Sequence, residues 1–250
     1  MKETFVVHPN YTDRSAQIRE VLRHFDTVGD YVVKGDRNTI KKVEIDGEVF
    51  NVKRFKNPNF FQGLVYQFLR KSKAKRSFEY AQKLIELELN TPFPVAYSES
   101  FGVGLQHSFY VSKHLEYDFD FRKLNHNPKF PNRDEILRQF AAFTFQLHEN
   151  NINFLDHSPG NTLIKETTSG KYDFYLIDLN RMRFENMDFN KRMLNFRRMW
   201  LSKGMIDVMA PTYADLYDRT EKNTHRLMTY YSRKFQKKVN AKKLRRKKRQ

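Results

Sequence analysis

The chain has 250 residues, 39% of them hydrophobic and 15% aromatic, enough apolar side chain to build one large domain or a two-lobed one. It has no cysteine, which excludes a disulfide framework and thiolate chemistry and makes a reducing compartment the expected home. The N-terminal MKETFVVHPNYTDR lacks the apolar core of a signal peptide, no apolar run reaches bilayer length, and the formal net charge is +17; the expectation is a soluble, cytoplasmic chain with anionic partners.

Up to about residue 115 the pattern predicts strands and one helix. DYVVK and KKVEI read as strands flanking the turn GDRNT, and VFNVKRF as the next strand, with the Asp-Gly of IDGEV as a tight hairpin turn. In SKAKRSFEYAQKLIELELN, the residues Ala74, Phe78, Ala81, Leu84, Ile85 and Leu89 recur near helical spacing. The prolines of TPFPVAY then force an extended segment, and HSFYVSKHL follows as a strand.

Beyond residue 115 the chain reads mainly as helix. NRDEILRQFAAFTFQLHEN carries an apolar stripe of Ile136, Leu137, Phe140, Phe143 and Leu147. Asn132 and Glu135 resemble a capping box at its start, and Asn150 and Asn151 suit a left-handed cap at its end. His148 falls on the apolar face, where a buried, hydrogen-bonded histidine is the expectation. Asp118 and Asp120 alternate with Tyr and Phe in an extended segment and read as solvated acids. Two short strands around TTSGK and a helical C-terminal region with the only Trp, Trp200, complete an α+β, two-lobed pattern.

The segment 233–250, RKFQKKVNAKKLRRKKRQ, holds about eleven of the basic residues and no acid; without it the net charge is roughly +6. So many like charges repel, and a disordered or marginally helical tail is expected. It reads as a solubilising tail or as an electrostatic tether to anionic lipid head groups or RNA, and charge alone does not choose.

The candidate chemistry lies in NINFLDHSPGNTLI, where Asp156 and Asn161 bracket a Ser-Pro-Gly turn. Counting outward from a hairpin centred between Ser169 and Gly170 sets Asn161 opposite Asp178, to within a residue or two. A carboxylate and an amide oxygen at one hairpin end, with phosphates and waters completing the shell, suit Mg²⁺ better than Zn²⁺. Asp156, across the turn, is free to act as a base or to orient a hydroxyl. Counting from Asp46-Gly47 likewise sets Lys53 opposite Ile40, beside the turn whose Gly35 and Asn38 backbone could cover phosphates. Glu79 on the predicted helix is the candidate carboxylate to hold that lysine.

This order of Lys, helix Glu, D-x4-N and strand-terminal Asp resembles the protein-kinase-like fold, with a β-rich N-lobe and a mainly helical C-lobe. The wording of RKSKAKRSFEYAQKLIELELNTPFPVAYSE, LHENNINFLDHSPGNTLI and YLIDLNRMRF is similar to the bacterial lipopolysaccharide kinase (Kdo/WaaP) family, over roughly residues 30 to 215. The resemblance implies ATP- and Mg²⁺-dependent phosphorylation of a sugar hydroxyl, such as that of 3-deoxy-D-manno-octulosonic acid (Kdo), in the lipopolysaccharide inner core or its lipid A precursor. It implies a nucleotide-binding lobe over 1–115, a catalytic lobe over 116–232 and the basic tail over 233–250. It gives Lys53 the α and β phosphates with Glu79 as its partner, Asp156 the acceptor hydroxyl, and Asn161 and Asp178 the Mg²⁺.

Three positions depart from the pattern. Phe154 stands where a histidine usually precedes the catalytic aspartate, Leu-Asn follows Asp178 in place of Phe-Gly, and no G-x-G-x-x-G precedes Lys53. Arg181, Arg183 and His157 are candidates for an anionic acceptor; the arginines could equally pair with Glu185 or Asp188, and turn structure explains the histidine equally well. The expected partners are an anionic lipopolysaccharide precursor and, through the tail, the cytoplasmic face of the inner membrane. The alternatives are a kinase fold with another small-molecule or protein acceptor, an inactive kinase-shaped binding protein, and a basic-tailed nucleic-acid-binding protein. The last leaves the Lys53, Glu79, Asp156, Asn161 and Asp178 set unexplained.

Overall fold

The computed structural model describes residues 2–35 and 38–248, and the chain divides into two compact units, Met1–Leu115 and Glu116–Gln250. In the first unit the elements are β1 (Lys2–Val7), α1 (Ser15–Arg23), β2 (Asp30–Lys34), β3 (Asn38–Ile45), β4 (Glu48–Phe55), α2 (Phe60–Phe68), α3 (Lys73–Glu86), β5 (Pro94–Gly102) and β6 (Gly104–Lys113). The strands form one antiparallel sheet in the order β1-β5-β6-β4-β3-β2. Sequence reading anticipated one helix here. α1 and α2 are additional.

Side-chain alternation along the strands sorts the core into two layers. Phe50 and Val52 of β4 join Val43, Ile45, Ala96 and Val111 beneath Ile18 and Leu22 of α1. Phe55 of β4 and Tyr97 of β5 face the other way, against Ala74 and Phe78 of α3. Asp46 and Gly47, at φ 50° and 74°, both take the left-handed backbone of a type I′ hairpin turn, as the Asp-Gly pair demands. The resulting register sets Lys53 opposite Ile40, as counted from the sequence. Lys53 therefore shares its face with Phe55, the face that α3 covers.

The second unit contains β7 (Phe119–Asp120), α4 (Arg122–His126), α5 (Arg133–Glu149), β8 (Ile152–Phe154), β9 (Thr162–Thr168), β10 (Lys171–Leu176), β11 (Met182–Phe184), α6 (Phe189–Asn195), α7 (Lys203–Leu216) and α8 (Glu221–Lys247). α5 is its spine: the predicted stripe is buried, and Phe140 meets Phe121 and Phe174 at centroid distances of 4.5 and 5.4 Å. His148 is fully buried, its Nδ1 2.7 Å from the Tyr213 hydroxyl. Asn151 takes the left-handed turn after the helix, at φ 57°.

The capping box is a correction. Asn132 sits at φ 54° and makes no side-chain cap; its amide donates to the Tyr172 hydroxyl, while Glu135 accepts from Gln139 and Arg138. Asp118 is exposed, as expected, and Asp120 is half-buried. Asp118 accepts from the Glu166 backbone amide, and Asp120 pairs with Arg122.

The expectation of a disordered or marginally helical tail over 233–250 gives way to helix, α8 running to Lys247. Its early turns are fixed by buried Met228 and Ser232, then by the Phe235 ring 6.0 Å from Trp200 and a Gln236 amide donating to Leu201 O. From there good helix formers extend it, and cations at a helix C-terminus oppose the dipole favourably, which offsets their mutual repulsion.

Candidate active site

The β9–β10 hairpin starts in the counted register, with Lys171 opposite Thr168, and then a bulge after Lys171 shifts the pairing by one. At its open end Leu176 faces Thr162, and the Ile177 amide donates to Asn161 O at 3.1 Å. Asn161 thus lies one place from Asp178, inside the range that counting allowed.

Each residue of this end is held by local geometry. Pro159, Gly160 and Asn161 form a 3-10 turn, which returns the Asn161 side-chain amide to donate to the Asp156 carbonyl at 3.0 Å. Among the described residues the Asn161 side-chain oxygen accepts no hydrogen bond. Asp178 sits in the left-handed region, at φ 58° and ψ 48°, a conformation that L-residues with a Cβ seldom adopt. Its Oδ1 accepts from the Asn180 amide at 2.6 Å. β8 and β11 pair Phe154 with Met182, and the Leu155 amide donates to Arg181 O. That pairing lashes the Asp156 loop to the segment that follows Asp178.

The Asp156 carboxylate receives two guanidinium groups. Arg181 Nη1 lies 3.2 Å from Oδ2, and Arg198 Nη2 lies 3.0 Å from Oδ1. Arg198 was not a sequence candidate; it comes from a 3-10 turn spanning Phe196–Met199, and no local pattern ties it to Asp156. The partners left open for Arg181 are otherwise engaged: Glu185 accepts from Asn153, and Asp188 caps α6 through the Lys191 amide. Arg183 is exposed on β11.

His157 is a correction to the acceptor-binding expectation. It is fully buried, its Nδ1 2.9 Å from Asn195 Oδ1, and its ring stacks on Phe154. Burial pushes its pKa down to about 4, so the ring is neutral near pH 7. Asn195 also donates to Asn153 Oδ1 and Phe154 O, each at 3.0 Å. The position that usually carries histidine holds Phe154, buried beside a histidine three residues later that fixes the loop instead.

In the first unit, both Glu79 carboxylate oxygens accept from Lys71 Nζ, at 3.0 and 2.8 Å, where sequence reading had assigned Glu79 to Lys53. Lys53 Nζ lies 4.9 Å from the centre of the Phe55 ring. The Gly35 amide donates to Asn38 O within the β2–β3 turn, so it is not the open phosphate donor that was expected. Asp36 and Arg37 of that turn lie outside the described residues.

The profile of the lipopolysaccharide kinase (Kdo/WaaP) family matches residues 36–231, more than half of the chain. The chain belongs to that family. It is a lipopolysaccharide core kinase, a phosphotransferase that uses ATP. Among solved structures it is similar to one described as WaaP in complex with acyl carrier protein, at 18% identity and a TM-score of 0.65, over 95% of this chain and 99% of that one. That likeness shows the kinase-like fold; acyl carrier protein is a partner of WaaP that the sequence reading did not anticipate. No curated protein matches in sequence.

For a family of kinases the residues around Asp178 fit a hard cation. Among the described residues no cluster of three or more His, Asp or Glu side chains could hold a metal unaided. One carboxylate and one amide oxygen at a hairpin end are a donor set that phosphate and water oxygens complete.

Proposed function

We propose that the chain transfers the γ-phosphoryl group of ATP to a hydroxyl of Kdo in the lipopolysaccharide inner core or its lipid A precursor. The observation that carries this reading is the Asp156 loop: Asn161 is folded back onto the Asp156 carbonyl, one hairpin place from Asp178. Asp156 accepts the hydrogen bond of the acceptor hydroxyl and orients its oxygen toward phosphorus. The new bond joins that oxygen to the γ-phosphorus, the bridge between the β and γ phosphates breaks, ADP leaves, and the hydroxyl proton passes through Asp156 to solvent. Asn161 and Asp178 would hold Mg²⁺, which when bound neutralises phosphate oxygens. Positioning and electrostatics carry such a transfer, so no covalent nucleophile is needed.

Lys53 contacts the α and β phosphates in this reading, and Glu79, on the helix covering the same sheet face, exchanges Lys71 for Lys53 when nucleotide binds. Arg181 and Arg198 leave Asp156 for the carboxylate or phosphate of the acceptor, and Arg183 lends further positive charge. Asp156 gains its freedom by that exchange. The lipid precursor places the reaction at the cytoplasmic face of the inner membrane, with the basic end of α8 drawn to anionic head groups.

The test is transfer of label from ATP to a Kdo-bearing lipid A precursor in the presence of Mg²⁺. Label must appear on the sugar and disappear with Asp156→Ala. No transfer by the unsubstituted chain, or transfer unchanged by that substitution, overturns the reading.

A further inference from the structure

One of the two helices that sequence reading missed, α2, meets the sheet through the face that carries Gly63 and Gln67. Gly63 lies against the turn between β5 and β6: a Cβ there would stand 3.3 Å from the Leu105 amide nitrogen, and one on Gly104 only 2.9 Å from the Gly63 carbonyl carbon. Gly104 also sits at φ 82°, which favours glycine. Gln67, one turn on from Gly63, accepts from the Gly104 amide at 2.8 Å. Backbone meets backbone here, and the helix is held close and rigidly oriented.

Its opposite face carries Phe61, Val65 and Phe68, at i, i+4 and i+7, within about 60° of arc. All three are exposed, Phe61 at 78%, Val65 at 40% and Phe68 at 73%, as are the following Leu69 at 82% and Phe60 at the start of the helix. Monomeric proteins seldom spend large apolar side chains this way without a partner. Arg70 and Lys71 follow directly, and a concavity of about 800 Å³ beside Phe68 and Leu69 is lined by Lys2, Arg70, Lys71 and Lys75, with Glu99 as its acid. Within that group Lys71 is paired, with Glu79.

An exposed aromatic stripe bordered by cations has the chemistry of an interfacial helix: rings enter the acyl boundary while lysine and arginine meet phosphates. We infer that α2 is a membrane-surface anchor of this kinase, docking Phe61, Val65, Phe68 and Leu69 into an anionic bilayer. The charge complementarity is local to the helix, and the family's lipopolysaccharide substrate carries its own lipid anchor in that same surface. The end of α8 contributes a different contact. Its exposed large apolar residue is Leu244, among lysines and arginines, so it supplies long-range charge and little insertion. This inference goes beyond phosphoryl transfer, and its test needs neither ATP nor acceptor, so the two readings fail separately.

The experiment is co-sedimentation of the full chain with vesicles of phosphatidylcholine alone or with one-third phosphatidylglycerol. The unsubstituted chain partitions onto the anionic vesicles. Phe61→Ser with Phe68→Ser lowers the partition coefficient by about tenfold or more, with an unchanged melting temperature because both rings are exposed. Lys242→Gln with Arg245→Gln and Arg246→Gln lowers it less and mainly reduces its salt sensitivity. Equal partitioning of the double Phe variant and the unsubstituted chain overturns the inference, as does no binding by either. It is also overturned if sedimentation equilibrium shows the stripe closing a dimer that the double variant dissolves. Loss of binding to an acidic carrier protein with vesicle partitioning intact would overturn it as well.

Discussion

Arg198 Nη2 stands 3.0 Å from Asp156 Oδ1, and Arg181 reaches the other oxygen of the same carboxylate. The carboxylate assigned to the acceptor hydroxyl is therefore occupied by two groups whose planar donors suit a carboxylate or phosphate equally well. In the proposed function an anionic acceptor competes for them and uncovers Asp156 as it binds.

Arg198→Ala is expected to raise KM for the lipid acceptor by about tenfold to a hundredfold, the worth of one charge-assisted hydrogen bond, and to leave KM for ATP unchanged. Arg198→Lys recovers only part of the loss, because the bidentate geometry is gone. Steady-state kinetics with both substrates varied distinguishes this from a general loss of fold, which would move both constants.

Asp156→Ala should lower kcat by about a hundredfold or more while costing little stability. The ion pairs it removes involve Arg181 and Arg198, whose side chains are 51% and 33% exposed, and such pairs contribute about 1 kcal/mol or less. Kinetics and a urea melt on the same preparation check both halves.

Asp178 holds a left-handed conformation that costs a residue with a Cβ about 1 kcal/mol, and glycine nothing comparable. Asp178→Gly is expected to retain or slightly raise the melting temperature while abolishing transfer. A fall of several degrees would show that the Asn180 hydrogen bond outweighs the backbone strain.

Acid should destabilise the protein before its carboxylates titrate. Burial pushes His148 down to about 3 and His157 to about 4, both below their unfolded value near 6.5. Between those limits the unfolded chain binds more protons, so stability is full above about pH 6.5 and falls by up to about 1.4 kcal/mol per pH unit for each histidine as pH drops. Urea melts from pH 7 to 5 should show that slope, and His157→Gln should reduce it.

Phe154 fills the place of a usual histidine as core. Fully buried against His157, it should cost about 3–5 kcal/mol when cut to alanine. Asn195→Ala should cost about 2 kcal/mol or more, because it strands buried His157 Nδ1 and removes the amide that donates to Asn153 Oδ1 and Phe154 O. Chemical denaturation of the two variants measures both.

What could be read from residues alone was whatever depends on near neighbours. The Asp46-Gly47 turn fixed the β3–β4 register, and with it the place of Lys53 opposite Ile40. Helical spacing identified the buried stripe of α5, and the position of His148 on that stripe implied its burial. The D-x4-N spacing and a hairpin count brought Asn161 beside Asp178 to within one residue; the missing residue was a bulge, which leaves no pattern of its own. α2 was also legible in principle. Asn59 caps it, and its apolar residues recur at helical spacing, but they form an outward stripe with no polar face to contrast against.

The rest was decided by pairings across long stretches of chain, which periodicity does not encode. Asn195 meeting His157 from 38 positions away and Arg198 on Asp156 each depend on where packed elements set two side chains. His157 is adjacent to Asp156 in sequence, yet one faces the core and the other two arginines. Local chemistry determined which residues are candidates for phosphoryl transfer. Only the packed chain decided which of them are exposed to a substrate, because burial and ion pairing are properties of position in space and not of order along the backbone.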